Sequence, residues 1–185
     1  MVIFVFILDI GKLAISRVWV TLREVQKLFD ETGEKYALGA KQKGILLSAS
    51  GTLDLERRAE IDMLRLKIVI ENLLENALRY TRGEKKEIRL SIKNDATSLS
   101  LSVQDTGIGI PEKEQPKIFS EFFRASNARK VLTSGSGIGL YVCKRYIEAH
   151  AGTFRFESKE NEGTNFFITL PLTTVADTND FLRKI

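Results

Sequence analysis

Asp62-Met-Leu-Arg-Leu-Lys-Ile-Val-Ile-Glu-Asn-Leu-Leu-Glu-Asn-Ala-Leu-Arg-Tyr-Thr81 runs without Pro or Gly, and Asp62 stands where a helix N-cap belongs. Leu66, Ile70, Leu73 and Ala77 recur at helical spacing and, at ~100° per residue, form one narrow apolar stripe. Asn72, Asn76, Arg79 and Tyr80 gather on a second stripe, roughly 100° further round the axis. The segment is therefore predicted to be a helix that packs by one side and offers two amides, a guanidinium and a phenol on the next. Asn is a mediocre helix former, so two of them at this spacing need a reason. An amide oxygen is a hard, neutral ligand suited to a magnesium ion that already carries phosphate oxygens and water. Arg79 can neutralise phosphate charge, and Tyr80 can donate a hydrogen bond. A solvated helix face that happens to hold two Asn is the plain alternative.

Upstream, Ile15–Leu22 reads as a strand, residues 23–43 as a helix and 45–47 as a short strand, with a turn at Gly51. Downstream, strands are predicted over 87–93 and 98–104, joined by the Asn94-Asp95 turn. A glycine-punctuated stretch over 106–136 holds one short helix around 115–119. A second strong helix follows over 138–149, then strands over 153–158 and 165–170 that stop at Pro171. This order implies an α+β fold: a two-layer sandwich of a mixed, largely antiparallel sheet with its helices on one face.

The chain has 185 residues, 43% of them hydrophobic and 28% charged, which suits one ordinary globular domain with short flanks. Its single cysteine, Cys143, excludes a disulfide framework and a cysteine zinc site and fits a reducing, cytoplasmic setting. The net charge of +4 comes from Lys and Arg interleaved with acids, a poor nucleic-acid footprint. Met1–Leu8 is apolar, but Asp9 interrupts it well short of the ~20 residues of a spanning helix.

Two glycine loops carry further chemistry. Asp105-Thr-Gly-Ile-Gly-Ile-Pro111 follows a strand, and Gly107 and Gly109 let the backbone approach a ligand closely. Asp105 can accept a hydrogen bond from an exocyclic amine, which adenine has and guanine lacks at that place. A simple glycine-rich turn is the alternative. Gly135-Ser-Gly-Ile-Gly-Leu140 opens the second strong helix, where free N–H groups and the positive dipole end favour phosphate. It looks like a dinucleotide fingerprint, but no apolar strand precedes it. Gly163-Thr-Asn-Phe166, read alone, is a turn into a strand.

Together these segments resemble the histidine kinase branch of the ATPase superfamily that includes gyrase, the 90 kDa heat-shock chaperone and the MutL repair proteins, with its Bergerat-type fold. Asn72–Thr81 resembles that family's N box, Asp105–Pro111 and Gly135–Leu140 its first two glycine boxes, and Gly163–Phe166 its last. Ile118-Phe-Ser-Glu-Phe-Phe-Arg124 resembles its phenylalanine box. The resemblance implies ATP and Mg²⁺ as ligands. Asn76 matches the magnesium asparagine; Asn72, Arg79 and Tyr80 match positions near metal and phosphates; Asp105 matches the adenine reader, supported by Gly107, Gly109 and Thr164. Gly135, Gly137, Ile138, Gly139 and Leu140 match the phosphate loop, Lys144 a basic position beyond it, and Arg124 the arginine of the phenylalanine box. Residues 111–136 would be the lid over the nucleotide.

The resemblance also implies a reaction and its partners. The superfamily's ATPases place a Glu one turn before the magnesium asparagine as base for the attacking water, and here that place is Asn72. An amide cannot take the proton, so the γ-phosphoryl should be kept for another acceptor. That acceptor would be a histidine on a separate dimerisation hairpin, with a response regulator downstream. His150, the only histidine, matches the end of the second glycine-box helix and not the acceptor. Residues 1–14 resemble the very end of the hairpin, 15–171 the ATP-binding catalytic domain, and 172–185 a polar tail. Autophosphorylation of the chain alone is not expected. A non-enzymatic ATP-binding regulatory module is the alternative, and the isolated domain is expected to be a monomer. Ala151 replaces the usual Gly after His150, and Thr81-Arg82-Gly83 lacks the common Pro.

Overall fold

The computed structural model describes residues 16–172. The expectations for residues 1–14 and for most of the tail lie outside them. Val18–Thr21 forms β1, which leads directly into α1, Leu22–Gln42. At the junction Thr21 and Glu24 form a reciprocal capping box that satisfies helix N–H groups at the start of α1. β2, Leu46–Ser50, and β3, Arg58–Ile61, precede α2, Met63–Tyr80. β4, Glu87–Asn94, and β5, Ser98–Asp105, form a hairpin. A 3₁₀ turn at Glu112–Lys117, α3 at Ser126–Val131, α4 at Gly139–Ala149, β6 at Thr153–Lys159 and β7 at Gly163–Pro171 complete the chain.

The main sheet has five strands in the order β2-β4-β5-β7-β6, and only β2 and β4 run parallel. Alternation dictates its two faces. Leu90 and Ile92 of β4 meet Val103 and Leu101 of β5, which in turn meet Phe166 and Ile168 of β7, while Ile88 pairs with Asp105; all are buried. The intervening Ser100, Ser102, Arg89 and Lys93 line the opposite, polar face. α2 covers the apolar side with Leu66, Val69, Ile70, Leu73, Leu74, Ala77 and Leu78, flanked by α1 and α4. The predicted stripe of Leu66, Ile70, Leu73 and Ala77 is buried in full, and Asp62 caps the helix by accepting from the Arg65 N–H at 3.0 Å. The expected two-layer sandwich with helices on one face is observed.

Three elements differ from expectation. β3 pairs antiparallel with β1 as a separate ribbon, in a stretch for which the sequence predicts no element. Its four residues alternate exposed and buried, and only Ala59 and Ile61 face inward, too little to raise a periodic signal. The helix expected around 115–119 is a 3₁₀ turn placed earlier, with Pro116 inside it, and α3 was missed. No residue of α3 is buried, so it carries no amphipathic pattern to read.

Candidate functional site

The inward register of β5 runs Leu99, Leu101, Val103 and then Asp105, so the strand carries a carboxylate into the next core position. Asp105 lies opposite Thr164 of β7 and is only 9% exposed. Its Oδ1 accepts from the Gly107 N–H at 2.8 Å. Desolvation pushes its carboxyl up to about 6, against the backbone N–H bonds from Gly107 and Thr164 that favour the charged form. A carboxylate kept this dry, with its fixed donors drawn from the backbone, is suited to accepting a further hydrogen bond from a ligand amine.

The first glycine loop is pinned to the end of α2. The Ile108 N–H donates to the Tyr80 carbonyl at 3.1 Å, and Gly107 bridges to Thr81. A Cβ on Gly107 would lie 2.5 Å from that carbonyl oxygen, so the loop can approach α2 only as glycine. Gly109 has φ +60°, and a side chain there would run into the Lys159 carbonyl. Ser158 joins the first glycine loop to the β6–β7 turn: its Oγ accepts from the Ile110 N–H at 2.9 Å, donates to the Gly163 carbonyl at 3.0 Å and lies 2.9 Å from the Thr164 hydroxyl. The Asp105 end of the site thus draws on α2, the first glycine loop and the β6–β7 turn.

Along α2, Asn72, Asn76 and Tyr80 are half-buried and Arg79 is exposed. The Asn72 Nδ2 donates to the Ile68 carbonyl at 3.3 Å, which turns Oδ1 toward the start of α4; a Cβ on Gly139 would lie 2.6 Å from it. Among the described residues no hydrogen bond engages the Asn76 amide. Arg79 does not turn toward the glycine loops; its Nη2 bonds Glu75 Oε2 at 2.8 Å. Glu71 is bonded by Lys35 of α1 at 2.7 Å, and Glu75 also accepts from the Tyr36 hydroxyl at 3.4 Å. Both carboxylates beside the asparagines are thus occupied on the α1 side.

The second glycine loop fits against protein at each glycine. Gly135 lies beside the Arg124 guanidinium, 3.2 Å from Cζ to a Cβ position, and Gly137 leaves room for the Phe122 backbone at 2.6 Å. Ile138 is the N-cap of α4, and Leu140 packs against the core. Arg124 donates to the carbonyls of Leu132, of Thr133 at 2.9 Å and of Gly135 at 3.5 Å. Lys144 sits 5.4 Å over the Phe119 ring and pairs with Glu148 at 3.8 Å. Phe119 in turn packs on Phe154 and Phe156 at 4.9 and 5.5 Å, which fastens the segment after the 3₁₀ turn to β6. Asn127, which carried no sequence signal, ties α3 to the first glycine loop by donating to the Gly109 carbonyl at 2.9 Å. Neither Ser158 nor Asn127 belongs to a pattern; only the folded contacts reveal them.

His150 is 4% exposed with both nitrogens engaged. Nε2 accepts from the Asp62 N–H at 3.0 Å, so the proton sits on Nδ1, which donates to the Tyr146 carbonyl at 2.6 Å. It is a strut between the end of α4 and the cap of α2. Among the described residues no group of three or more His, Cys, Asp or Glu side chains is arranged to hold a metal. An ion here would depend on amide oxygens together with ligand phosphates.

The family model for histidine kinase-, DNA gyrase B- and HSP90-like ATPases matches residues 61–174. Curated relatives include the sensor protein kinases WalK of Staphylococcus epidermidis, 39% identical over 121 residues, and of Staphylococcus haemolyticus, 38% identical over 120. Each match covers 64% of this chain, which spans about a fifth of the length of those relatives, the covered share being 20%. Among solved structures, the nucleotide-free catalytic domain of the histidine kinase ThkA superposes with a TM-score of 0.69 at 30% identity, covering 86% of this chain and 99% of that one. A mycobacterial sensor histidine kinase, MprB, shares the fold with a TM-score of 0.68 at 24% identity, over 85% of this chain and all of that one. The chain belongs to the histidine kinase-, DNA gyrase B- and HSP90-like ATPase family. Within it, the domain is a histidine kinase catalytic domain.

Proposed function

We propose that the chain binds MgATP between α2 and the two glycine loops and donates the γ-phosphoryl group to a histidine on a separate dimerisation domain, with a response regulator as the next acceptor. The observation that carries this reading is the α2 face itself. The unengaged Asn76 amide lies one turn from Asn72, and the dry Asp105 carboxylate stands beyond the C-terminal end of that helix. Adenine binds at Asp105, its exocyclic amine donating to the carboxylate while Thr164 stands across the strand pair. The triphosphate extends along α2 toward the start of α4, where the helix dipole and free N–H groups favour anions. Magnesium suits an amide-lined face without clustered acids; bound at Asn76, it would supply neutralisation of phosphate charge.

In the transfer, a ring nitrogen of the acceptor histidine attacks the γ-phosphorus. The bond to the β–γ bridging oxygen breaks, ADP leaves, and the acceptor ring loses its other N–H proton. His150 is not that acceptor, because its ring is buried and both nitrogens are bonded. The alternative, ATP as a binding switch without transfer, uses the same pocket and differs only in the outcome with an acceptor. The test is to mix this chain with a separately made histidine-bearing hairpin and labelled ATP. Label should move to the hairpin and not to this chain alone. ATP at 100 times Kd should stabilise the fold by about 2.7 kcal/mol, and GTP far less. Asn76→Ala should remove the magnesium-dependent part of that shift. Tight ATP binding with no transfer would favour the switch; no nucleotide effect at all would defeat both readings.

A further inference from the structure

We infer that Glu75 is a positioning residue that competes with the nucleotide phosphates for Arg79, so that binding requires Arg79 to exchange one anion for another. The inference rests on the nucleotide reading of the α2 face and goes one step beyond it. Arg79 shares its stripe with Asn72 and Asn76, yet its guanidinium bonds Glu75 Oε2 at 2.8 Å. Glu75 is itself fixed, because its Oε1 accepts from the Tyr36 hydroxyl of α1 at 3.4 Å. Desolvation and the nearby Glu75 and Glu71 carboxylates raise the Tyr36 pKa, which keeps that hydroxyl a donor. One turn earlier Glu71 is bonded by Lys35, so two adjacent ties hold the acidic edge of α2 against α1.

Chemistry decides the direction of exchange. Arg79 and Glu75 are about half exposed, at 47% and 46%, so their pair is worth little and yields readily. A polyphosphate offers the same fork of donors more charge and more acceptor oxygens than one carboxylate. Glu75 therefore sets how much of Arg79's affinity for phosphate is realised, and does so only for ligands that carry phosphate.

Calorimetry of the whole chain with ATP, ADP and adenosine tests this. Glu75→Gln should tighten ATP about two- to threefold, the worth of an exposed pair four residues apart, and leave adenosine unchanged. The gain should vanish in an Arg79→Gln background, because the cycle isolates action through Arg79. Glu71→Gln, which removes a neighbouring charge bonded to Lys35 instead, should give no such gain. A gain that persists without Arg79, or that Glu71→Gln reproduces, means simple charge repulsion and overturns the inference. So does unchanged ATP affinity in Glu75→Gln. Absence of ATP binding by the unaltered chain would instead defeat the nucleotide reading, which keeps the two failures apart.

Discussion

Asp105→Asn should make the ligand-free domain more stable at neutral pH while weakening its hold on ATP. The carboxyl is pushed up to about 6 in the fold, against 3.8 for an unperturbed aspartate. That difference corresponds to about 3 kcal/mol of excess cost for keeping the buried group charged. The sign follows from proton binding: between these pH values the native state holds the proton more tightly than the unfolded chain. The favourable contribution of the protonated form is thus complete below about 4 and lost as pH rises through about 6. An asparagine is never charged and can present its oxygen to the Gly107 N–H, but its amide N–H groups must then be satisfied, which returns part of the gain. A net stabilisation of about 1–2 kcal/mol at pH 8 remains, or roughly 2–8 °C in Tm for a domain of this size. Near pH 4 the two proteins should converge. ATP affinity should fall by roughly 10- to 100-fold at pH 8, the worth of a hydrogen bond to a charged acceptor. Thermal melts from pH 4 to 8, with and without ATP, give both readouts. Parallel Tm curves for the two proteins would refute the claim that Asp105 is held in a dry, destabilising site.

Ala151 sits at φ +55°, just beyond α4, where the Gly152 N–H bonds the Ile147 carbonyl and the Ala151 N–H that of Glu148. This is a Schellman end, so Ala151→Gly should add roughly 0.5–1 kcal/mol in a denaturant titration and leave nucleotide affinity unchanged. Gly109→Ala should cost about 2 kcal/mol or more, because both its positive φ and the Lys159 carbonyl oppose a Cβ; a melt within experimental error of the parent would contradict the loop geometry. His150→Ala should lose about 2–3 kcal/mol by stranding the buried Asp62 N–H and removing the ring's bond to the Tyr146 carbonyl, without affecting phosphoryl transfer measured well below the melting temperature.

Much of this architecture was legible because it is periodic. The stripe of Leu66, Ile70, Leu73 and Ala77 placed α2 on the sheet, and alternation marked the strands around it, whereas Asp105, expected just past a strand end, takes the next core position of β5. What escaped was short or aperiodic: β3 turns only two residues inward and α3 none. The site divides in the same way. Chemical type and spacing singled out the asparagines, the glycine loops and Asp105. Their partners did not show, because contacts such as Asn72 with Gly139, Arg79 with Glu75, or Arg124 with the lid carbonyls depend on which rotamer the packed neighbours allow. Glycines 135, 137 and 139, assigned from sequence to phosphate approach, also make room for Arg124, Phe122 and Asn72. A substitution at any of them perturbs the protein before it reaches a ligand.

The carboxylates beside the asparagines bear on why ATP would be conserved for a distant acceptor. Glu71 is bonded by Lys35, and Glu75 by Arg79 and Tyr36, so both are turned toward α1. Asp105 belongs to the opposite end of the site, beside the carboxyl end of α2. The position one turn before Asn76 is Asn72, whose nitrogen already donates to Ile68. No group in that position can take a proton from water. Asn72→Glu supplies one, and general-base catalysis is worth typically 10²–10⁴-fold. Release of inorganic phosphate from ATP, with no acceptor present, should therefore rise by at least about tenfold, since a base not evolved for the place realises only part of that range. The added negative charge should weaken ATP somewhat, so the assay runs at saturating nucleotide, with binding verified by thermal shift. If the variant binds ATP and hydrolyses it no faster than the parent, the missing base is not what protects the γ-phosphoryl, and exclusion of water by the lid held through Arg124 becomes the better physical account.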